Sequence, residues 1–383
     1  MSAAARNDGV VTLRREQPVD IAAIERELTR LWHEADPDAA GESKHVTRAC
    51  LWNLLYHVAP GPKDGERRTA LRELLQEVTV AVPSRIVVLE TRPETDQPPD
   101  GEPIQAWVSA NCLRLPEGPS LICAEEVSLV GYGDAGVRHF PSLARALRAP
   151  DLPVGLLWIE RLPARSRLLR ELLTLSHRLI VDSHSAAAMR ELADLQELVQ
   201  GLTQGVADIG WMRLRPVRLL FAGLFDAPEH AEKLARVESI HIETTRGGRA
   251  QGLLLAGWLL ARLGIADITV NPNATEPGQF AWTLRQDGRR VPMDAAAHPG
   301  EGGQDELIAL YVRADGCDFG VTQVDAEHVA LHSPAFGEKQ VALHGWDKSE
   351  LIAAALGSHG LDPAFREALA LAARLAEAEE WNQ

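Results

Sequence analysis

The sequence is short of cysteine and of basic residues, and each shortage excludes a class of protein. Four cysteines occur among 383 residues, and no two of them are spaced as C-x-x-C. This excludes a disulfide-rich secreted scaffold and a cysteine-based structural zinc site. The 39 Lys and Arg against 54 Asp and Glu give a formal net charge of -15. Such a chain lacks the basic footprint that nucleic acid or an anionic membrane surface requires.

Long apolar runs are also missing. The longest, LLLAGWLLA at residues 253–261, is about half of what a membrane-spanning helix needs, and it predicts a buried helix. Residues 1–17 are polar, without the apolar segment of a secretory signal. We therefore expect a disordered tail over residues 1–17 and a cytoplasmic location.

Residues 18–226 alternate between strand and helix patterns. The segments 46–58 and 85–90 predict strands, and residues 66–78 between them predict a helix, which together make the β-α-β unit of a parallel sheet. Further predicted elements are hairpin strands 104–115 and 121–130, strands 153–159 and 177–182, and helices 165–175 and 185–202. This pattern predicts a Rossmann-like α/β domain with a mixed sheet.

Residues 227–383 follow a different pattern, with strands bunched in the middle and helices towards the end. A strand at 237–244 and a helix at 250–263 come first. Later strands are predicted at 267–270, 280–285, 306–314, 319–324 and 328–332, with helices beginning at Ser349 and Pro363. The grouping predicts an α+β domain with an antiparallel sheet, and places the domain boundary near Asp226.

One apparent cofactor motif occurs. Gly131, Gly133 and Gly136 match the G-x-G-x-x-G pattern of dinucleotide sites. However, they follow the second strand of a hairpin, and Pro141 stands where a helix should already be running, so we interpret them as a glycine-rich turn. The sequence has no P-loop, HExxH, G-x-S-x-G or EF-hand pattern. We predict no catalytic, cofactor-binding or metal-ligating residues.

Two weaker sites are predicted from position. Ligands of open α/β sheets bind beyond the carboxyl ends of strands, and Trp and Arg dominate binding hot spots. A ligand or partner patch is therefore predicted at Trp158, Glu160, Arg161, Asp182, Ser183, Trp211, Arg213 and Arg215, where core tryptophans and solvated arginines are an equally good interpretation.

A cysteine pair is the second of these sites. In a hairpin that is symmetric about residues 117 and 118, Cys112 and Cys123 face each other, close to disulfide reach. Two free buried thiols are the commoner arrangement in a reducing compartment.

Nine segments in one order resemble the OpcA family, the glucose-6-phosphate dehydrogenase assembly proteins. The resemblance is good over about residues 46–265 and loose in the C-terminal third. The segments are LWNLLYHV at Leu51, PSRIVVLE at Pro83, AWVSANC at Ala106, ICAEEVSL at Ile122, HFPSL at His139, DLPVGLLW at Asp151, LIVDS at Leu179, DIGWMRLRPVRLL at Asp208 and LLLAGWLLARLG at Leu253.

The resemblance implies a non-catalytic subunit that binds glucose-6-phosphate dehydrogenase and promotes its oligomerisation or activity in the oxidative pentose phosphate route to NADPH. Photosynthetic members are linked to thioredoxin-type redox control, which a Cys112–Cys123 pair would fit. The rival hypothesis is an enzyme, or a nucleotide- or sugar-phosphate-binding protein, that uses the pocket at the strand ends.

Overall fold

The computed structural model describes most of the chain with short gaps. The described residues are 5–7, 10–17, 19–35, 46–47, 50–60, 64–98, 101–114, 121–162, 166–185, 190–270, 279–299, 307–325, 327–358, 360 and 362–380. The chain forms two compact units. Unit 1 comprises residues 1–180 and 348–358, and unit 2 comprises residues 181–347 and 359–383.

Unit 1 is built on a mixed sheet. Its strands are β1 (Ala5–Asn7), β2 (Val10–Gln17), β3 (Val46–Thr47), β4 (Trp52–Val58), β5 (Ser84–Arg92), β6 (Ile104–Arg114), β7 (Leu121–Tyr132), β8 (Val154–Trp158) and β9 (Arg178–Val181). They lie in the order β1-β2-β6-β7-β5-β4-β8-β9, and β3 pairs with β7. The pairs β7–β5, β5–β4 and β4–β8 are parallel, whereas the pairs β2–β6 and β6–β7 are antiparallel.

The parallel strands are buried on both faces, as expected for a sheet that helices cover on both sides. All of β4 except Trp52 is buried, and β8 is buried along its whole length. The helices of unit 1 are α1 (Ile21–Ala35), α2 (Asp64–Ala81), α3 (Gly133–Val137), α4 (Phe140–Leu147), α5 (Arg167–Leu173) and α11 (Lys348–Gly357). The predicted β-α-β unit is confirmed as β4, α2 and β5.

Unit 2 contains a second, mainly antiparallel sheet, which confirms the predicted fold class. Its strands are β11 (Val237–Thr245), β12 (Asp267–Val270), β13 (Gln279–Gln286), β14 (Arg289–His298), β15 (Leu307–Ala314), β16 (Cys317–Gln323), β17 (His328–Ser333) and β18 (Gly337–Ala342). They lie in the order β12-β13-β14-β11-β15-β16-β17-β18, with β11 and β14 as the parallel pair. A short strand β10 (Gly205–Asp208) precedes them in the chain and is not part of this sheet.

The helices of unit 2 are α6 (Arg190–Gln200), α7 (Ile209–Arg213), α8 (Arg215–Gly223), α9 (Pro228–Ala231), α10 (Arg249–Arg262) and α12 (Pro363–Glu380). Residues 250–260 of α10 are all buried, which confirms the buried helix predicted from LLLAGWLLA. Helix α12 packs on both α10 and α6. Within the described ranges, each helix is too short or too polar to cross a bilayer.

The two units divide at residue 181, whereas the sequence pattern placed a boundary near Asp226. The difference arises because α6 packs on α12 and α8 contacts β16, so both helices join the core of unit 2. Helix α11 then returns to unit 1, where the Arg178 guanidinium donates to the carbonyl oxygen of Ala355 at 2.7 Å. A helix pattern in a sequence does not reveal which of two cores the helix will join.

The expected disordered tail over residues 1–17 is wrong in part. Residues 10–17 form β2, which pairs antiparallel with β6 from Val10 opposite Leu113 to Gln17 opposite Ala106. Backbone hydrogen bonds to a neighbouring strand order this polar segment, and a polar composition alone does not show that such a partner exists.

Candidate functional site

The carboxyl ends of the parallel strands in unit 1 bring a histidine, a tryptophan and a threonine together. His57 in β4 stacks on Trp158 at the end of β8, with ring centroids 4.0 Å apart and 13° between the ring planes. Nε2 of His57 lies 3.2 Å from Oγ1 of Thr91 in β5. Trp158 donates its indole N–H to the carbonyl oxygen of Arg161 at 3.1 Å. Three neighbouring strand ends therefore fix the orientation of these two rings.

The His57 imidazole is neutral at neutral pH. Burial lowers the pKa of His57 to about 4, and the positive charge of Arg67 adds to the effect. The residue is 6% exposed, and its Nδ1 has no hydrogen-bond partner among the described residues. A buried ring nitrogen without a partner costs free energy unless a water or a ligand meets it.

Glu160, one of the predicted patch residues, is engaged in local structure. Its carboxylate accepts a hydrogen bond from the backbone N–H of Ala59 at 2.9 Å and forms an ion pair with Arg67. These contacts tie the segment after β8 to the segment after β4. Arg161 is exposed. Glu160 thus has a positioning role at the strand ends.

A crevice of about 700 Å³ opens at these strand ends. Its lining is His57, Pro60, Thr91, Asp134, Ala135, Val137, Arg138, Trp158, Ser166, Arg167, Leu168 and Glu171. All of these residues belong to unit 1. The volume lies within the range typical of small-molecule sites, roughly 300–1,000 Å³.

In unit 2, the predicted residues Asp182 and Ser183 lie beside Asp208. Oδ1 of Asp208 accepts hydrogen bonds from the backbone N–H groups of Ser183 at 2.9 Å and Gly210 at 3.0 Å, and so caps α7. Burial raises the pKa of Asp208 to about 6. The guanidinium of Arg213 lies 3.8 Å from a carboxylate oxygen of Asp182. This arrangement holds the start of α7 in place.

Trp211 is buried in the interior of unit 2, so it cannot be part of the predicted patch surface. Its indole N–H donates to Oδ2 of Asp362 at 2.8 Å, and its ring packs against Phe365. The guanidinium of Arg218 lies 3.3 Å from the ring centroid. Trp211 fixes α7 against the start of α12. This agrees with the interpretation of Trp211 as a core residue.

Apolar side chains of α8 and of the segment after β18 form a groove of about 370 Å³ in unit 2. Leu219 is 62% exposed and Trp346 is 36% exposed, and they are two of the six exposed large apolar residues among those described. The groove is lined by Met212, Arg213, Arg215, Pro216, Leu219, Leu220, Ala342, Leu343, His344 and Trp346. Arg215, a predicted patch residue, is exposed at its edge.

The exposed face of the second sheet carries a charged histidine. His241 lies between two carboxylates, with Nδ1 2.5 Å from Asp294 and Nε2 2.9 Å from Glu243. The hydrogen bond to Asp294 is the main cause that raises the pKa of His241 to about 9. The imidazolium is therefore the stable form at neutral pH. No cluster of three or more metal-ligating side chains occurs in the part of the chain that the structure describes.

Two glycines of the apparent cofactor motif, Gly131 and Gly136, serve internal packing, and Gly133 has a positive φ of 55°. A Cβ at Gly131 would lie 2.8 Å from Cζ of Phe140, and one at Gly136 would clash with the carbonyl oxygen of Pro103. Any larger residue at either position would therefore disturb the packing of this segment. The sequence interpretation missed the short helix α3 here, and Pro141 lies in the first turn of the following helix α4.

The predicted register of the hairpin is confirmed. Cys112 in β6 lies directly opposite Cys123 in β7. The side chains of both cysteines lie outside the described residues, so the disulfide stays a prediction. Cys50 and Cys317 are free thiols.

The eight predicted patch residues fall into two groups, one in each unit. Trp158, Glu160 and Arg161 belong to unit 1, and the other five belong to unit 2. Sequence reasoning missed His57 and Thr91, although both lie near the carboxyl ends of strands, where the rule that found Trp158 also applies. It also missed Leu219 and Trp346, because an apolar residue on a predicted helix or loop gives no sign of its exposure.

Comparison with known proteins gives matches in both halves of the chain. Two family models match, described as the glucose-6-phosphate dehydrogenase subunit N-terminal domain over residues 76–199 and the C-terminal domain over residues 204–369. Levoglucosan dehydrogenase in complex with NADH and L-sorbose aligns over 87% of this chain and 96% of its own, with 11% identity and a TM-score of 0.48. Similarity at that level carries no inference about activity or ligands.

Curated relatives are named after the OxPP cycle. The OpcA protein of Synechocystis sp. is 31% identical over 188 residues, which is 49% of this chain and 38% of the relative. The OpcA protein of Synechococcus elongatus is 26% identical over 380 residues, 81% of this chain and 82% of the relative. With the two domain models in chain order, these matches show that the chain belongs to the OpcA family, the glucose-6-phosphate dehydrogenase assembly proteins.

Proposed function

We propose that this chain is a non-catalytic subunit that binds glucose-6-phosphate dehydrogenase and promotes its oligomerisation and activity. Family membership supports the choice of partner. The observation that carries the proposal is the apolar groove in unit 2, because it has the composition of a binding hot spot. Exposed Trp346 and Leu219 are its apolar anchors, and Arg215 lies at its edge.

The charge of the groove indicates the chemistry of the partner surface. Its ionisable lining residues are Arg213, Arg215 and His344, in a chain whose formal net charge is -15. Arg215 forms no ion pair with any described residue, whereas Arg213 has Asp182 at 3.8 Å. We expect the dehydrogenase to present apolar side chains next to a carboxylate. The groove would be the anchor of a larger interface, since stable complexes bury about 800 Å² on each partner.

Activation requires unequal binding to two states of the enzyme. A subunit that binds the active or assembled dehydrogenase more tightly than the inactive form shifts the population towards it, in proportion to that difference in affinity. The same chain would therefore raise enzyme activity without supplying a catalytic group. We expect the purified chain to co-elute with its cognate dehydrogenase and to raise its activity or lower its apparent KM.

Substitution in the groove tests this proposal. We expect Leu219→Ser and Trp346→Ala each to weaken the complex about tenfold to thirtyfold, since truncation of a hot-spot anchor costs roughly 1.5–2 kcal/mol or more. Arg215→Glu should slow association, most strongly at low salt. The dissociation constant and association rate are measured with the immobilised dehydrogenase.

Phe336→Ala is the matched control, because Phe336 is an exposed aromatic residue outside the groove. It should bind like the wild type. A wild-type chain in excess that neither co-elutes with the dehydrogenase nor alters its kinetics contradicts the proposed function. If Leu219→Ser and Trp346→Ala both bind like the wild type, the groove is not the binding surface, but the proposed function still stands.

A further inference from the structure

The crevice in unit 1 lies at the point of the sheet where the chain changes direction. From β4 the chain continues through α2 to β5 on one side, while β8 lies on the other side of β4. All three strands are parallel, so their carboxyl ends meet at one edge. In open α/β sheets, the helices on either side of such a point diverge and leave a crevice where ligands bind.

The buried end of the crevice is polar, and its side chains are held in fixed orientations. His57 and Trp158 are stacked, and the hydroxyl of Thr91 holds the other imidazole nitrogen. Nδ1 of His57 is buried and has no hydrogen-bond partner within the described ranges, yet the residue lines the crevice. Such a buried polar atom, on an imidazole that its neighbours hold in place, is suited to hydrogen-bond the polar edge of a planar ligand ring.

The outer end offers a positive charge that no described carboxylate neutralises. Of the two arginines in the lining, Arg167 forms an ion pair with Glu171 at 2.6 Å. Arg138 forms none with any described residue, and its Nε lies 3.3 Å from the ring nitrogen of His139. The lining also includes the apolar side chains of Pro60, Val137 and Leu168.

We propose that this crevice binds a heteroaromatic anion of mononucleotide size, with the ring edge hydrogen-bonded at His57 and the anionic group paired with Arg138. The side chains of Pro60, Val137 and Leu168 then contact the faces of the ring. Asp134 also lines the crevice, and its carboxylate can accept hydrogen bonds from hydroxyl groups between ring and anion. This inference is independent of the dehydrogenase-binding function, because all of the lining belongs to unit 1 and the groove belongs to unit 2.

Three probes separate the features of the ligand. AMP carries both ring and phosphate, adenosine carries the ring without the phosphate, and ribose 5-phosphate carries the phosphate without the ring. Calorimetric titration of the full chain should give the tightest binding for AMP, at least tenfold tighter than for either of the other two. Equal affinity for AMP and ribose 5-phosphate contradicts ring recognition, and failure of the folded wild type to bind AMP at millimolar concentration overturns the proposal.

Variants assign the contacts. Arg138→Gln should weaken AMP binding at least tenfold while leaving adenosine binding unchanged, and His57→Phe should weaken both. Arg145→Gln is the matched control, since Arg145 is an exposed arginine on α4 outside the crevice. Arg138 is on the surface, so its variant tests the proposal even if His57→Phe does not fold. Wild-type affinity for AMP in Arg138→Gln overturns the assigned site.

Discussion

The two sheets of this chain place their charged side chains at different depths. In unit 1 the strands β4 and β8 are buried over nearly their whole length, β5 is buried over its first six residues, and Arg85 of β5 lies in the interior. In unit 2 the strands β11 and β15 mix buried residues with part-exposed or exposed ones, and their charged side chains are among the latter. Helices on both faces of a parallel sheet exclude solvent, so a charged side chain there needs a partner within the protein. In the second sheet, water can solvate the charged side chains.

Histidines show the same contrast. His57 of unit 1 is buried with a pKa of about 4, and His241 of unit 2 lies between two carboxylates with a pKa of about 9. Desolvation decides the first case and hydrogen bonds to charged partners decide the second. The two sheets therefore give one side chain opposite charge states at neutral pH.

The largest expected effect comes from removing a buried charge in unit 1. Arg85 bonds to Glu125 at 2.6 Å and to Glu25 at 2.7 Å. We expect Arg85→Met to lower the free energy of unfolding by about 3–5 kcal/mol, because it leaves Glu125 buried beside an apolar group. The control is Arg313→Met in unit 2, whose exposed pairs with Glu238 and Asp318 are worth roughly 0–1 kcal/mol. Denaturant unfolding measures the stability of both variants. Similar losses of stability in the two would contradict the proposed difference between the sheets.

Glycine substitutions should affect both units alike. A Cβ at Gly136 in unit 1 would clash with the carbonyl oxygen of Pro103, and one at Gly257 in α10 would clash with that of Ala368 in α12. Each Gly→Ala change should cost about 1–3 kcal/mol, because backbone must move to make room. Gly357→Ala is the control, since nothing lies within 4 Å of its added Cβ. Thermal unfolding measures the three variants, and unchanged midpoints for both core positions would contradict the close packing.

The smallest expected effect is on the pH dependence of stability. The pKa of His57 is lower when folded than the ordinary 6.5, so its contribution is present above pH 6.5 and is lost as the pH falls towards 4. The pKa of His241 is raised, so its contribution is present below pH 6.5 and is lost as the pH rises towards 9. We expect about 2 kcal/mol for the buried His57 and about 1 kcal/mol for the partly exposed, screened His241.

Unfolding of His57→Phe and His241→Gln across pH 4 to 9 measures these contributions. The first variant should lose the acid-side slope of the wild type, and the second should lose the alkaline-side slope. If both variants keep the pH profile of the wild type, neither histidine has the charge state assigned to it.

The sequence predicted the elements that have a strong apolar pattern. The run of apolar residues in α10 and the buried strand β5 are examples, and the symmetric hairpin even placed Cys112 opposite Cys123. Strand β18 was missed because its sequence GEKQVA is almost entirely exposed and carries no apolar pattern. Strand β14 was missed because Pro292 and charged residues break its alternation.

The candidate sites were less predictable, because they depend on which strand ends become neighbours. Trp158 was identified from its position after a strand, but its partner His57 is distant in sequence and meets it only through the pairing of β4 with β8. The sequence left Trp211 open between patch and core, because Asp362, which accepts its indole N–H, lies on a segment predicted separately. Sheet order and side-chain contacts between remote segments were the missing information.

The return of α11 to unit 1 has a consequence for synthesis on the ribosome. The side chain of Leu356 in α11 lies next to Gly155 of β8, and Ala355 accepts a hydrogen bond from Arg178. Translation must therefore proceed through all of residues 181–347 before the N-terminal unit receives its last helix. Until then, the nascent chain exposes the apolar surface on which α11 packs. A premature stop codon after residue 347 would therefore leave unit 1, which is synthesised first, without this helix.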